Sequence, residues 1–106
     1  MTYPDTIVSQ ATPQGYSGIA VLRLSGSTAL ATAIKMSKAK RPLAPRKATL
    51  LPIYDHEGTM VDKGIFIYYK APRSYTGEDV VEISCHGNPL ICKTIINTAR
   101  HHGLRT

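Results

Sequence analysis

The stretch SYTGEDVVEISCHGNP, residues 74–89, holds a strand, a turn and a helix start in one short run. From Val80 to Cys85 the residues alternate. Val81, Ile83 and Cys85 fall on one face of an extended chain, and Val80, Glu82 and Ser84 on the other. Asn88 is a good N-cap, and Pro89 sits at the first helical position, where its missing N–H costs nothing. A helix from Pro89 to about His101 follows, with Leu90, Ile91, Ile95, Ile96 and Ala99 as its apolar positions and Gly103 as its C-cap residue. The strand carries one ionised carboxylate, Glu82, flanked by valine and isoleucine. Such a group must face water or have a partner. On a solvated face Glu82 is ordinary. In a pocket, its carboxylate can accept two parallel N–H bonds from an amidine-like or guanidine-like group.

Upstream, Thr6 to Ala11 alternates and reads as a first strand. Thr12-Pro13-Gln14-Gly15-Tyr16-Ser17-Gly18 breaks it and reads as a flexible loop with free backbone N–H groups. Ile19 to Leu24 is a near-continuous apolar run of strand length, as in strands buried on both faces. Its one charge is Arg23, which mirrors the problem of Glu82: a guanidinium there can clamp a carboxylate or phosphate, or pair with Glu82 as a structural salt bridge. Ser27 is a fair N-cap for a helix from about Thr28 to Met36. Ala48 to Tyr54 reads as a strand, and Pro52 marks it as an edge. Asp55-His56-Glu57-Gly58 is a turn, and Ile65 to Tyr69 returns as a strand after an irregular passage through Met60 and Val61. The order ββαβββα predicts an α+β fold: a single mixed β-sheet with two or three helices packed on it. Leu104-Arg105-Thr106 reads as a strand just beginning, which implies a domain truncated at its C-terminus.

The totals bound the function. A chain of 106 residues makes one domain at most. No apolar run reaches membrane-spanning length, so no membrane partner is expected. Met1 to Asp5 lacks a basic n-region and an apolar h-region, so no signal peptide is read there. Cys85 and Cys92 stand without a second pair, which indicates neither a zinc site nor a disulfide framework, and a reducing, cytoplasmic setting is the default. Net charge is +6, unevenly placed. Between Thr6 and Tyr54 there is no acidic residue, while Lys35, Lys38, Lys40, Arg41, Arg46 and Lys47 crowd together. Such a run is usually a solvated loop, but it also suits a polyanion such as RNA or an acidic partner domain. No GxxxxGK[ST] pattern occurs, so these residues are not expected to hydrolyse GTP or ATP. A Cys85–His86 catalytic pair fits poorly, because strand neighbours point to opposite faces. His101-His102 suits a helix dipole better than a metal. No catalytic and no metal-ligating residue is assigned.

Two segments, DTIVSQATPQGYSGIAVLRLSG (5–26) and SYTGEDVVEISCHGNP (74–89), together with DKGIFIYYKAP between them, resemble the N-terminal domain of the tRNA-modification GTPases MnmE, also called TrmE. The resemblance covers nearly the whole chain. It implies a fold similar to the tetrahydrofolate-binding domains of one-carbon enzymes, a tetrahydrofolate derivative (5-formyl or 5,10-methylene) as ligand, and a homodimer. The family's folate-contacting arginine falls on Arg23 and its folate-contacting glutamate on Glu82; a further lysine of the family lies beyond Thr106. The resemblance places residues 1–106 as the tetrahydrofolate-binding N-terminal domain, with the helical domain and the G domain absent from this chain. Through that absent domain the full-length protein takes GTP, Mg and K. With a flavin-dependent partner, MnmG (GidA), it modifies the wobble uridine of certain tRNAs by a 5-carboxymethylaminomethyl-type group. The chain departs from the family at His86-Gly87-Asn88, where two glycines often follow the histidine, and at Tyr16-Ser17 in the PxGxG-like loop. Two other readings stand beside this one: a small basic RNA-binding module, which lacks an evident aromatic pair for stacking bases, and a pure dimerisation scaffold.

Overall fold

A computed structural model describes residues 5–106. The reading of Met1 to Pro4 as free of a targeting signal lies outside the described residues. The chain runs β1 (Ile7–Gln10), β2 (Ile19–Ser25), α1 (Ala29–Ser37), β3 (Thr49–Tyr54), β4 (Met60–Tyr69), β5 (Val80–His86) and α2 (Pro89–His101). The strands form one sheet in the order β1-β2-β5-β4-β3. Every ladder is antiparallel, and parallel pairing is confined to two isolated bridges, Ile7 with Arg105 and Pro45 with Tyr68. The architecture is α+β, as the element order predicts.

The alternation of β5 decides which face each strand turns to the core. Val81, Ile83 and Cys85 are buried, and their cross-strand neighbours Leu24, Leu22, Ala20 and Phe66 are buried with them. Both helices cover this one face: Ala29, Ala33 and Met36 of α1 and Cys92, Ile95 and Ala99 of α2 join the same core. Among the described residues no helix covers the other face. Ile7, Ile19 and Leu50 lie on it and are 46%, 65% and 64% exposed, with Val21, Ile65 and Ile67 half-buried between them. Ile19, Val21, Ile65 and Leu50 gather around Ser84 across the ladders, while Ile7 stands apart beyond Arg23. An exposed apolar cluster of this kind marks an interface.

The ends of the elements follow local chemistry. The Asn88 side-chain oxygen accepts from the N–H groups of Leu90 (2.8 Å) and Ile91 (3.3 Å), so the predicted N-cap of α2 is realised. At its other end Leu104 N–H donates to Ala99 O and Gly103 N–H to Arg100 O, with Gly103 at φ 99° and Leu104 buried. That is a Schellman ending with its apolar contact. α1 departs from expectation. Its N-cap is Thr28, not Ser27, and no side chain on the helix caps it. Instead the hydroxyl of buried Thr6 accepts from Thr28 N–H at 3.1 Å. The cap comes from the start of β1, across the fold. β4 is longer than predicted, running from Met60, and the irregularity expected at Met60 and Val61 is a register shift there: Ile53 pairs with Asp62 and Tyr54 with Met60, which leaves Val61 unpaired. Pro52 does sit on an edge strand.

The loop 12–18 is tied down. Thr12 Oγ1 accepts from Val21 N–H (3.1 Å), and Ser17 N–H donates to Gly87 O (2.8 Å). Gly87 packs so close to Ser17 that a Cβ there would overlap its hydroxyl and its carbonyl. The glycine after His86 is therefore fixed by close approach of two backbones, while the next position needs only a capping residue, which Asn88 supplies.

Candidate functional site

β2 and β5 pair with Arg23 directly opposite Glu82. Odd positions of β2 and even positions of β5 point away from the helices, so both side chains stand on the uncovered face. Arg23 donates from Nη2 (2.7 Å) and Nε (3.2 Å), both to Glu82 Oε2. The structural salt bridge that the sequence allowed is formed. Among the described residues no donor reaches Oε1, so one carboxylate oxygen keeps its acceptor capacity. The two side chains are 22% and 24% exposed, sheltered yet reachable by a ligand.

Around them lies an open cavity of about 400 Å³. Its further walls come from elements that sequence reasoning did not bring to the site. Tyr75 lies over Arg23, with the guanidinium carbon 4.5 Å from the ring centroid. Arg46 stands 5.3 Å from the ring of Tyr69, donates from Nη2 to Arg73 O (2.9 Å), and donates its backbone N–H to Tyr68 O (2.7 Å). One residue of the basic run is thus a wall of the cavity rather than a solvated cation. Tyr75, inside the quoted motif and 82% exposed, was the available signal. The loop is held by Asp79, whose Oδ1 accepts from Ala71 N–H (2.9 Å) and Tyr68 Oη (3.3 Å). Burial, then the Asp79 charge and its hydrogen bond, hold the Tyr68 phenol above its ordinary range. With Arg23, Arg46 and Arg73 against Glu82, the cavity is net cationic and aromatic-walled. It suits a flat, anionic ligand that also carries N–H donors.

The remaining candidates resolve separately. Cys85 faces the core and His86 the opposite side, so they form no catalytic pair. Burial, then the neighbouring Cys92 thiol, pushes the Cys85 thiol up to about 12, which removes its nucleophilicity at neutral pH. His101 stacks on His56 at 4.3 Å between centroids. Burial, then Lys35 and the neighbouring histidines, hold His102 below the ordinary histidine range. Among the described residues no cluster of three His, Cys, Asp or Glu is placed to hold a metal, and no helix is long and apolar enough to cross a membrane.

His86 has a partner that the sequence did not reveal. Asp62 on β4 accepts from His86 N–H (2.9 Å), and its oxygens lie 2.9 and 3.1 Å from Nδ1. Burial raises the Asp62 carboxyl, but the His86 backbone N–H, the His86 ring and the Lys63 N–H outweigh it, and the net shift is below 3.8. A depressed folded value stabilises above the unfolded one and is lost as pH falls through the folded one. Thermal unfolding of Asp62→Asn is therefore expected to show a deficit of about 1 kcal/mol at pH 7. The gap should narrow only below pH 3.8. An equal deficit at pH 7 and well below that value would contradict an origin in the ionised carboxylate.

Similarity now bears on this geometry. The family described as GTP-binding protein TrmE N-terminus matches residues 6–106. The chain belongs to that family. It is 52% identical over 101 residues to a tRNA modification GTPase MnmE of Francisella tularensis subsp. tularensis, covering 95% of this chain and 22% of that protein. The protein of the same name from Wolinella succinogenes is 49% identical over 102 residues, covering 96% of this chain and 22% of its own length. This TrmE-type domain therefore spans about a fifth of the length of those curated relatives.

Proposed function

We propose that this TrmE N-terminal domain binds a reduced folate in the Arg23–Glu82 cavity and forms a homodimer through its uncovered sheet face. The observation that carries the reading is the half-used carboxylate. Arg23 fixes Glu82 through Oε2, and Oε1 is left without a donor among the described residues on a side chain that lines an aromatic, cationic cavity. A reduced pterin offers a planar edge of adjacent N–H donors to such an oxygen, rings to Tyr69 and Tyr75, and glutamate carboxylates to Arg46 and Arg73. The bound folate would supply a one-carbon unit; these residues bind and orient it. The apolar cluster of Ile19, Leu50 and Ile65 lies on the same face, so a second copy seated there would bury it beside the cavity.

Within a longer protein, the domain would serve the modification of a tRNA wobble uridine. GTP hydrolysis would fall to another domain, and a flavin-dependent MnmG-like protein would act as partner. The test is isothermal titration of 5-formyltetrahydrofolate into the chain, with mass measured by light scattering in the same buffer. Saturable binding by a dimer is expected. A dimer that fails to bind leaves the scaffold reading, and a monomer that binds removes the dimer from the account.

A further inference from the structure

The two edges of the sheet are finished differently. The outer side of β1 is closed by the chain's last residues: Val8 N–H donates to Arg105 O (2.7 Å) and Arg105 N–H to Thr6 O (2.9 Å). The outer side of β3 is bonded to no other segment among the described residues. Beside its first half runs a groove of about 510 Å³, between the loop 39–48 and Thr49–Leu51. Its lining mixes cations with leucines: Lys40, Arg41 and Lys47 stand over Leu43, Leu50 and Leu51.

Beyond Lys35 on α1, the cations of the basic run divide into two sets. Lys38 lies over the Tyr54 ring at 4.1 Å, and Arg46 serves the Arg23–Glu82 cavity. Lys40, Arg41 and Lys47 are exposed and make no ion pair among the described residues. Exposed lysines and a proline at an edge ordinarily protect against self-pairing, and Pro52 and these cations do that here: a second β3 edge would bring like charge to like. The same charges accept a strand of opposite sign.

We infer that the β3 edge and its basic groove are a docking site for an extended, acidic segment of a partner protein, added as a further strand beside Thr49–Leu51. Main-chain bonds to the open edge hold the segment, Leu51 on the helix side of the strand receives an apolar side chain, and Lys40, Arg41 and Lys47 pair with its carboxylates. A nucleic-acid strand fits less well. The groove offers leucines and no aromatic ring for a base to stack on.

The probe is a capped peptide of alternating glutamate and valine, titrated into isotope-labelled protein and followed by amide shifts. Shifts are expected at Thr49–Leu51. The exposed triple variant Lys40→Glu/Arg41→Glu/Lys47→Glu should bind about tenfold more weakly or worse. The neutral variant Lys40→Gln/Lys47→Gln should fall between, and its unchanged melting temperature keeps the comparison free of misfolding. Three outcomes would overturn the inference: no binding at millimolar peptide, affinity indifferent to charge reversal, or displacement of the peptide by an oligouridine that binds more tightly.

Discussion

Glu82→Ala is expected to bind 5-formyltetrahydrofolate about 100-fold more weakly than the parent chain, from the loss of charge-assisted bonds worth about 1.5–3 kcal/mol. The geometry adds a second cost. Arg23 is held only through Oε2, by Nε and Nη2 together, so removing the carboxylate also releases the guanidinium that lies over Tyr75. Three variants separate contact with the ligand from mutual support. Arg23→Ala frees Oε2 but leaves the acceptor on its strand, and a loss nearer tenfold is expected. Glu82→Gln retains an oxygen for Arg23 while turning an amide N–H₂ toward the ligand's donors, so it should bind almost as poorly as Glu82→Ala with unchanged melting. Were the pair merely structural, Arg23→Ala and Glu82→Ala would lose affinity equally and Glu82→Gln would restore it. Binding by Glu82→Ala as tight as the parent's would remove the carboxylate from the site altogether.

What was legible in the residues was what periodicity and single-residue chemistry encode. The alternation around Glu82 placed it on the face opposite Val81, Ile83 and Cys85, Arg23 was legible as a possible partner because it is the lone charge of its strand, and Asn88-Pro89 marked the helix start. Pro52 marked an edge because it cannot donate to a ladder. What stayed hidden depends on tertiary approach. Ser27 looks like a cap by propensity, yet the N-cap is Thr28, whose N–H is held by the Thr6 hydroxyl from 22 residues away. Asp62 and His86 meet only through the register of the β4–β5 ladder. Arg46 reads as one cation in a basic loop. Its place in the cavity comes from the bond of its N–H to Tyr68 O and from its positive φ of 61°, neither of which arginine signals. Hydrophobicity showed that Ile7 and Ile19 are strand residues. Only the sheet order and the position of both helices show that they are left uncovered.

Phe66→Ala is expected to cost about 3–5 kcal/mol of stability, the usual range for emptying a buried aromatic site. Phe66 is the only phenylalanine and is fully buried. It pairs with Thr49 on β3 and Ile83 on β5, so its strand joins the open edge of the sheet to the strand that carries Glu82. β5 presents Glu82 to the cavity, and β3 is the open edge. Leu22, Ile53, Ile83 and Ile95 share this core and are fixed in strand and helix positions. Single domains are typically stable by about 5–15 kcal/mol, so the variant should be near its unfolding threshold. Phe66→Leu keeps most of the volume and should lose less than half as much. Urea unfolding followed by circular dichroism reads both, with the slope of the transition reporting whether the two-state assumption holds. A loss under about 1 kcal/mol for the alanine variant would mean that the helices close over the void. The sheet face and its covering layer would then be less rigid than the continuous burial of Val81, Ile83 and Phe66 requires.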